Sequence, residues 1–123
     1  MKRAESKNEP EQLWLESLDA VIAAPEHHKV LLENERVRFL DARIQSGDTV
    51  PVHTHRWSSV LYILSTSDFI RYDGDGNAVF DSRTVTQPMP ENGAVLWQPP
   101  LPPHSVENIG TGEIRVITVE LKD

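Results

Sequence analysis

The chain has 123 residues, with 12 basic and 19 acidic side chains and a net charge of −7. That length fits one ordinary domain, and so acidic a chain repels phosphate backbones and anionic lipid, which argues against nucleic acid and membrane partners. Cysteine is absent, which excludes disulfides, thiolate metal sites and cysteine nucleophiles. Residues 1–8 are charged and aperiodic and read as a tail. Met1 to Gln12 has no apolar stretch of the secretory kind, so a cytoplasmic protein is expected. The longest apolar run, Val60 to Leu64, is far short of the ~18 residues of a spanning helix.

The predicted elements begin with one short helix. Asn8 would cap it, Glu9 and Glu11 suit its positive end, and Pro10 is tolerated in the first turn. Trp14, Leu18, Val21 and Ile22 would form its apolar stripe, and Pro25 stops it. This divides the chain into a tail and helix over 1–25 and a single β domain over 26–123. After Pro25 the pattern becomes period two and β-branched. Strands are expected at Val30–Leu32, Val37–Ile44, Val50–His55, Ser58–Leu64, Asp68–Tyr72, Ala78–Asp81, Ala94–Gln98, Val106–Ile109 and Ile114–Leu121. Turn residues separate them: Asn34-Glu35, Ser46-Gly47-Asp48, the run Asp73 to Asn77, Asn92-Gly93 and Gly110-Thr111-Gly112. Short strands joined by turns, with no helices between them, predict an all-β antiparallel sandwich or barrel.

Chemistry concentrates on histidine. His53 and His55 lie at i and i+2 of a predicted strand, so both imidazoles leave the same face and can meet one ion. His104 follows the stiff run Pro99-Pro100-Leu101-Pro102-Pro103, an extended lead-in to the next strand. Trp57 shares the His53 face and would wall a pocket, and Gln98 would reach a ligand there. The neighbours His27 and His28 would point apart on a strand, as surface or internally satisfied polar residues. Asp73, Asp75 and Asn77 begin like a calcium loop. Ala78 stands where that loop needs glycine and Thr84 where it needs glutamate, so the segment reads as a plain hairpin turn. No nucleophile triad, phosphate loop or dinucleotide fingerprint is present, and no catalytic base is identifiable.

Gly47, five residues, then His53-Thr54-His55 resembles the first cupin motif, G-x5-H-x-H-x3,4-E-x6-G. Gly93, five residues, Pro99, then Pro102-Pro103-His104, three residues and Asn108 resembles the second, G-x5-P-x-G-x2-H-x3-N. The two segments span about half the chain. The resemblance implies a cupin-type jelly-roll β-barrel, here with a short N-terminal helix, holding a divalent metal on His53, His55 and His104. Ser59 falls where the family has its glutamate, Thr66 and Leu101 where it has glycines. The ligand set would therefore be three histidines without a carboxylate, and Ser59 would hold a metal-bound water or the substrate. Neutral imidazoles leave the full charge on the ion, which favours anionic chelators. Three-histidine cupin-like dioxygenases cleave diketones or oxidise thiols. The implied function is a mononuclear iron(II) dioxygenase on a small anionic chelating substrate, with zinc, nickel or manganese as other ions. A non-catalytic binding or sensing module, or a metal-dependent isomerase or lyase, are the alternatives. Val60, Tyr62 and Leu64 make the fourth strand apolar on its outer side as well, which predicts a homodimer with the N-terminal helix sharing the cover.

Overall fold

A computed structural model of the protein describes residues 14–122. A 3-10 turn at Glu16–Leu18 and a one-turn helix, α1 (Ala20–Ala23), precede nine strands. These are β1 (His28–Glu33), β2 (Val37–Ile44), β3 (Thr49–His55), β4 (Ser59–Ser65), β5 (Phe69–Asp73), β6 (Ala78–Asp81), β7 (Val95–Gln98), β8 (Leu101–Asn108) and β9 (Ile114–Leu121). They form two sheets with strand orders β1-β2-β9-β4-β7 and β3-β8-β5-β6, every strand pair antiparallel. The all-β jelly roll expected from the sequence is the architecture found.

The turns follow from their residues. Gly47 and Gly93 open the two motif segments with φ of 82° and 91°, a region that costs an L side chain roughly 1–2 kcal/mol. The Asn34 side chain accepts from the backbone N–H groups of Arg36 and Val37 and turns the chain into β2. Asp73 does the same for the β5–β6 hairpin, accepting from Asp75 and Asn77. Asn108, fully buried, donates to the carbonyls of Ile44 and Gly112 and accepts from the Gly110 N–H. That one side chain ties the end of β8 to β2 and to the β8–β9 turn, a physical reason for asparagine at this motif position.

Two elements differ from expectation. Among the described residues the N-terminal helix is a single turn: Asp19 (ψ 140°) caps Val21 and pairs by its backbone with Thr54 of β3. Its Asn8 cap, Glu9, Pro10 and Glu11 lie outside the described residues. Ala20 of the helix and its C-cap Ala24 are buried, whereas Ile22 is 56% exposed, and α1 packs mainly on β3 and β1. It is therefore placed away from the outer face of β4 that it was expected to cover. Strand β8 begins at Leu101 and takes in Pro102 and Pro103. Its pairing with β3 shifts register between His53 and His55, and such a bulge tolerates residues without an N–H to donate.

A cavity of about 420 Å³ lies between the sheets, walled by Val50, Leu61, Ile63, Phe69, Val106 and Val116 among others. The Pro-rich connection before β7 contributes Pro88, Met89 and Pro90 to its rim. On the other side of the five-stranded sheet, Tyr62, Val95 and Trp97 are exposed by 44%, 65% and 62%. Among the described residues, no helix is long and apolar enough to cross a membrane.

Candidate metal centre

Four histidines meet at one end of the cavity. His53 and His104 are direct cross-strand partners on β3 and β8, with ring centres 4.3 Å apart. His55, two residues along β3, stands 4.9 Å from His53 and 5.6 Å from His104. His28, the first residue of β1, comes in from the opposite sheet, with its ring 4.9 Å from His53 and 5.5 Å from His55. The ligand atoms of His28, His53 and His55 all lie within 4.8 Å of one another. The family resemblance implied a triad of His53, His55 and His104; their rings are neighbours, but the compact group of ligand atoms does not include His104. The structure adds His28, which the sequence reading set aside.

The hydrogen bonds fix which nitrogen is available. The Nδ1 atoms of His28, His53 and His104 donate to the carbonyls of Ala24, Pro51 and Pro102, at 3.0, 2.7 and 2.8 Å. His55 Nδ1 donates to the Glu120 carboxylate at 3.3 Å. A carbonyl oxygen only accepts, so each of those Nδ1 atoms carries the proton and each Nε2 keeps a lone pair. This is the arrangement of imidazoles preset for a metal, with the second ring nitrogen held by a fixed acceptor. His27 has the reverse pattern: its Nε2 is bound to Asp48 at 2.7 Å and its buried Nδ1 has no partner. His27 is thus tied to Asp48 through the nitrogen a metal would need, whereas its neighbour His28 joins the cluster.

Electrostatics agree with neutral imidazoles. Burial, then the neighbouring imidazoles, pushes His53 down to about 2. Burial is also the largest cause lowering His104 to about 3 and His28 to about 4. Behind the cluster, Glu120 is fully buried. Burial works against its charge, but bonds from His55 and Arg38 outweigh it and hold the carboxyl below its ordinary value. Arg38 reaches Glu120 through Nε and forms a two-pronged pair with Asp19, both bonds 3.0 Å. Burial likewise disfavours its charge, yet these two carboxylates raise it. Asp19, Arg38 and Glu120 together carry one net negative charge beside the imidazoles.

The remaining expected site residues divide. Gln98 lines the cavity. Trp57 does not: it lies under the guanidinium groups of Arg38 and Arg56 and the ammonium of Lys122, at 5.1, 4.5 and 5.5 Å from its ring. Its apolar face is used to stack cations rather than to wall a pocket. Ser59 is 1% exposed, pairs with Glu120 across β9 and Gln98 across β7, and does not line the cavity. Its Oγ has no partner. Glu120 was missed because Val119-Glu120-Leu121 reads as a strand with its polar residue outward. The parity of β9 is the reverse, with Val116 and Thr118 lining the cavity and Glu120 sharing their side. One sequence signal for the site went unread: Pro51-Val52-His53 and Pro102-Pro103-His104 both place proline two residues before histidine, and both proline carbonyls hold the ring.

No family model matches the chain, and no curated protein sequence matches it. Solved structures do. A cupin domain from Bordetella pertussis Tohama I superposes with a TM-score of 0.62 at 22% identity, over 78% of this chain and 92% of that one. An RmlC-like cupin family protein with a double-stranded β-helix fold, from Methanocaldococcus jannaschii, gives 0.53 at 15% identity, covering 76% and 77%. A double-stranded β-helix protein from Klebsiella pneumoniae gives 0.54 at 16%, covering 77% and 75%. The fold of this chain is the double-stranded β-helix of the cupins.

Proposed function

We propose that the chain binds a divalent metal ion at the imidazole cluster and acts as a mononuclear iron(II) dioxygenase on a small anionic chelating molecule. The observation that carries this reading is the hydrogen-bond pattern: four buried imidazoles with Nδ1 engaged and Nε2 free. His53 and His55 are common to the motif triad with His104 and to the tight group with His28. His28 would then compensate for the family's missing glutamate, whose position is taken by Ser59, a buried hydroxyl on the inward side of β4 beside Glu120 that does not line the cavity. An iron(II) ion would supply the one-electron chemistry toward O2 that the side chains lack. The imidazoles would hold it, and the apolar walls would keep water out. Glu120 fixes the plane of His55, and the walls around Leu61 and Ile63 are apolar.

The net charge supports an anionic ligand. An ion of +2 with neutral ligands, less the single negative charge of the Asp19–Arg38–Glu120 group, leaves the end of the cavity positive. No aspartate or glutamate is among the described lining residues, which weighs against an isomerase or lyase needing a carboxylate base. Oxygen consumption tests the reading. Iron(II)-loaded protein given a β-diketone or a small thiol acid is expected to take up O2, and His53→Ala to abolish it. Tight binding of such chelators without O2 uptake would instead identify a binding or sensing module.

A further inference from the structure

The cavity holds one permanent charge among its described lining residues, Arg71. Strand β5 turns Phe69 and Arg71 into it, and the cross-strand neighbours of Arg71, Phe80 and Val106, line it as well. His104 lies two residues before Val106 on β8, which makes it a diagonal neighbour of Arg71, roughly 7–8 Å away on the same sheet face. Arg71 has no hydrogen bond or ion pair with any described residue, and its Nε is buried and unsatisfied. Arg38, the other arginine turned inward, is paired with two carboxylates. Desolvation alone acts on Arg71 and lowers it, with no neighbouring carboxylate to offset the loss. A guanidinium stays protonated even so. Leaving such a half-buried charge unpaired is costly, and a planar fork of donors matches a carboxylate.

We propose that Arg71 binds the carboxylate of the substrate, and that the substrate is a small monocarboxylic acid with an apolar body whose far end faces the imidazole cluster. The far end rests on the metal-dependent reading above; the carboxylate end does not. A single cation matches one carboxylate rather than a phosphate, which would need further donors. The surrounding Phe69, Phe80 and Val106 match an apolar body, and the cavity volume lies within the range of small-molecule sites.

Titration calorimetry with benzoate and phenylacetate against benzamide and phenylacetamide tests this, on metal-free and zinc-loaded protein. At least one acid is expected to bind wild type tenfold or more tightly than its amide in both forms. Arg71→Gln should erase that preference while taking up zinc as wild type does. Arg71→Leu should leave the melting temperature unchanged or raise it, because the charge it removes is unpaired. The proposal is overturned if neither acid is preferred by wild type, if Arg71→Gln keeps the preference, or if either variant unfolds or melts several degrees lower. Acid preference through Arg71 in a protein that takes up no zinc would sink the metal reading and leave the carboxylate site standing.

Discussion

Acidification of the metal-free protein should destabilise it steeply and early. His28, His53 and His104 have folded-state values of about 4, 2 and 3 against 6.5 in the unfolded chain, chiefly through burial. Below pH 6.5 the unfolded chain takes up protons that the folded one refuses. Stability is thus complete above that value and lost as pH falls toward 4 and below. At pH 5 each imidazole costs about 2 kcal/mol, so the three together cost about 6 kcal/mol relative to neutral pH. All three are less than one-tenth exposed, so solvent screening takes little from that sum. A domain of this kind has ~5–15 kcal/mol in total, so the loss is a large share of it. Urea unfolding followed by circular dichroism, in chelator from pH 7 to pH 5, measures it. Saturating zinc should hold the imidazoles neutral and oppose the loss, by about 3 kcal/mol at a hundredfold excess over Kd. An unfolding midpoint that stays constant between pH 7 and pH 5 without metal would refute the buried, neutral cluster.

Three further outcomes are expected. Glu120→Gln leaves His55 with a weaker acceptor and Arg38 short of a charge, so zinc affinity should fall about 10–100-fold by competition titration; unchanged affinity would mean Glu120 does not orient the ligand. Ser59→Ala removes a buried hydroxyl without a partner, so the melting temperature should stay level or rise and zinc uptake should not change; a loss of metal would restore Ser59 to the site. We also propose that a second copy covers the outer sheet face around Tyr62, Val95 and Trp97. Light scattering should give twice the 13.9 kDa chain mass, with Trp97→Lys returning it to one; a wild-type monomer would exclude the pairing.

Strands set by alternation alone were legible. Val37–Ile44 and Ile114–Leu121 appear with the expected ends, because they pair with one another in continuous register. The start of β8 was not, because proline reads as a strand breaker, and the bulge that admits Pro102 and Pro103 shows only in the register of β8 against β3. The helix was over-read because Asp19 is committed to Arg38, a residue 19 positions away, which no local pattern reveals. Of the site, the strand residues His53, His55 and His104 could be read from spacing and motif. His28 could not, since only the closure of β1 over β3 brings it within reach, and Arg71 is marked as unusual only by the carboxylate it lacks.

We propose that four imidazoles, and not the fifth, hold one metal ion. Zinc per chain by elemental analysis, after dialysis of wild type and of five single His→Ala variants, tests it directly. One ion per chain is expected for wild type and His27→Ala, and a clear loss for His28→Ala, His53→Ala, His55→Ala and His104→Ala. Equal zinc in all six proteins, or a loss on His27→Ala with His28→Ala unaffected, would contradict it.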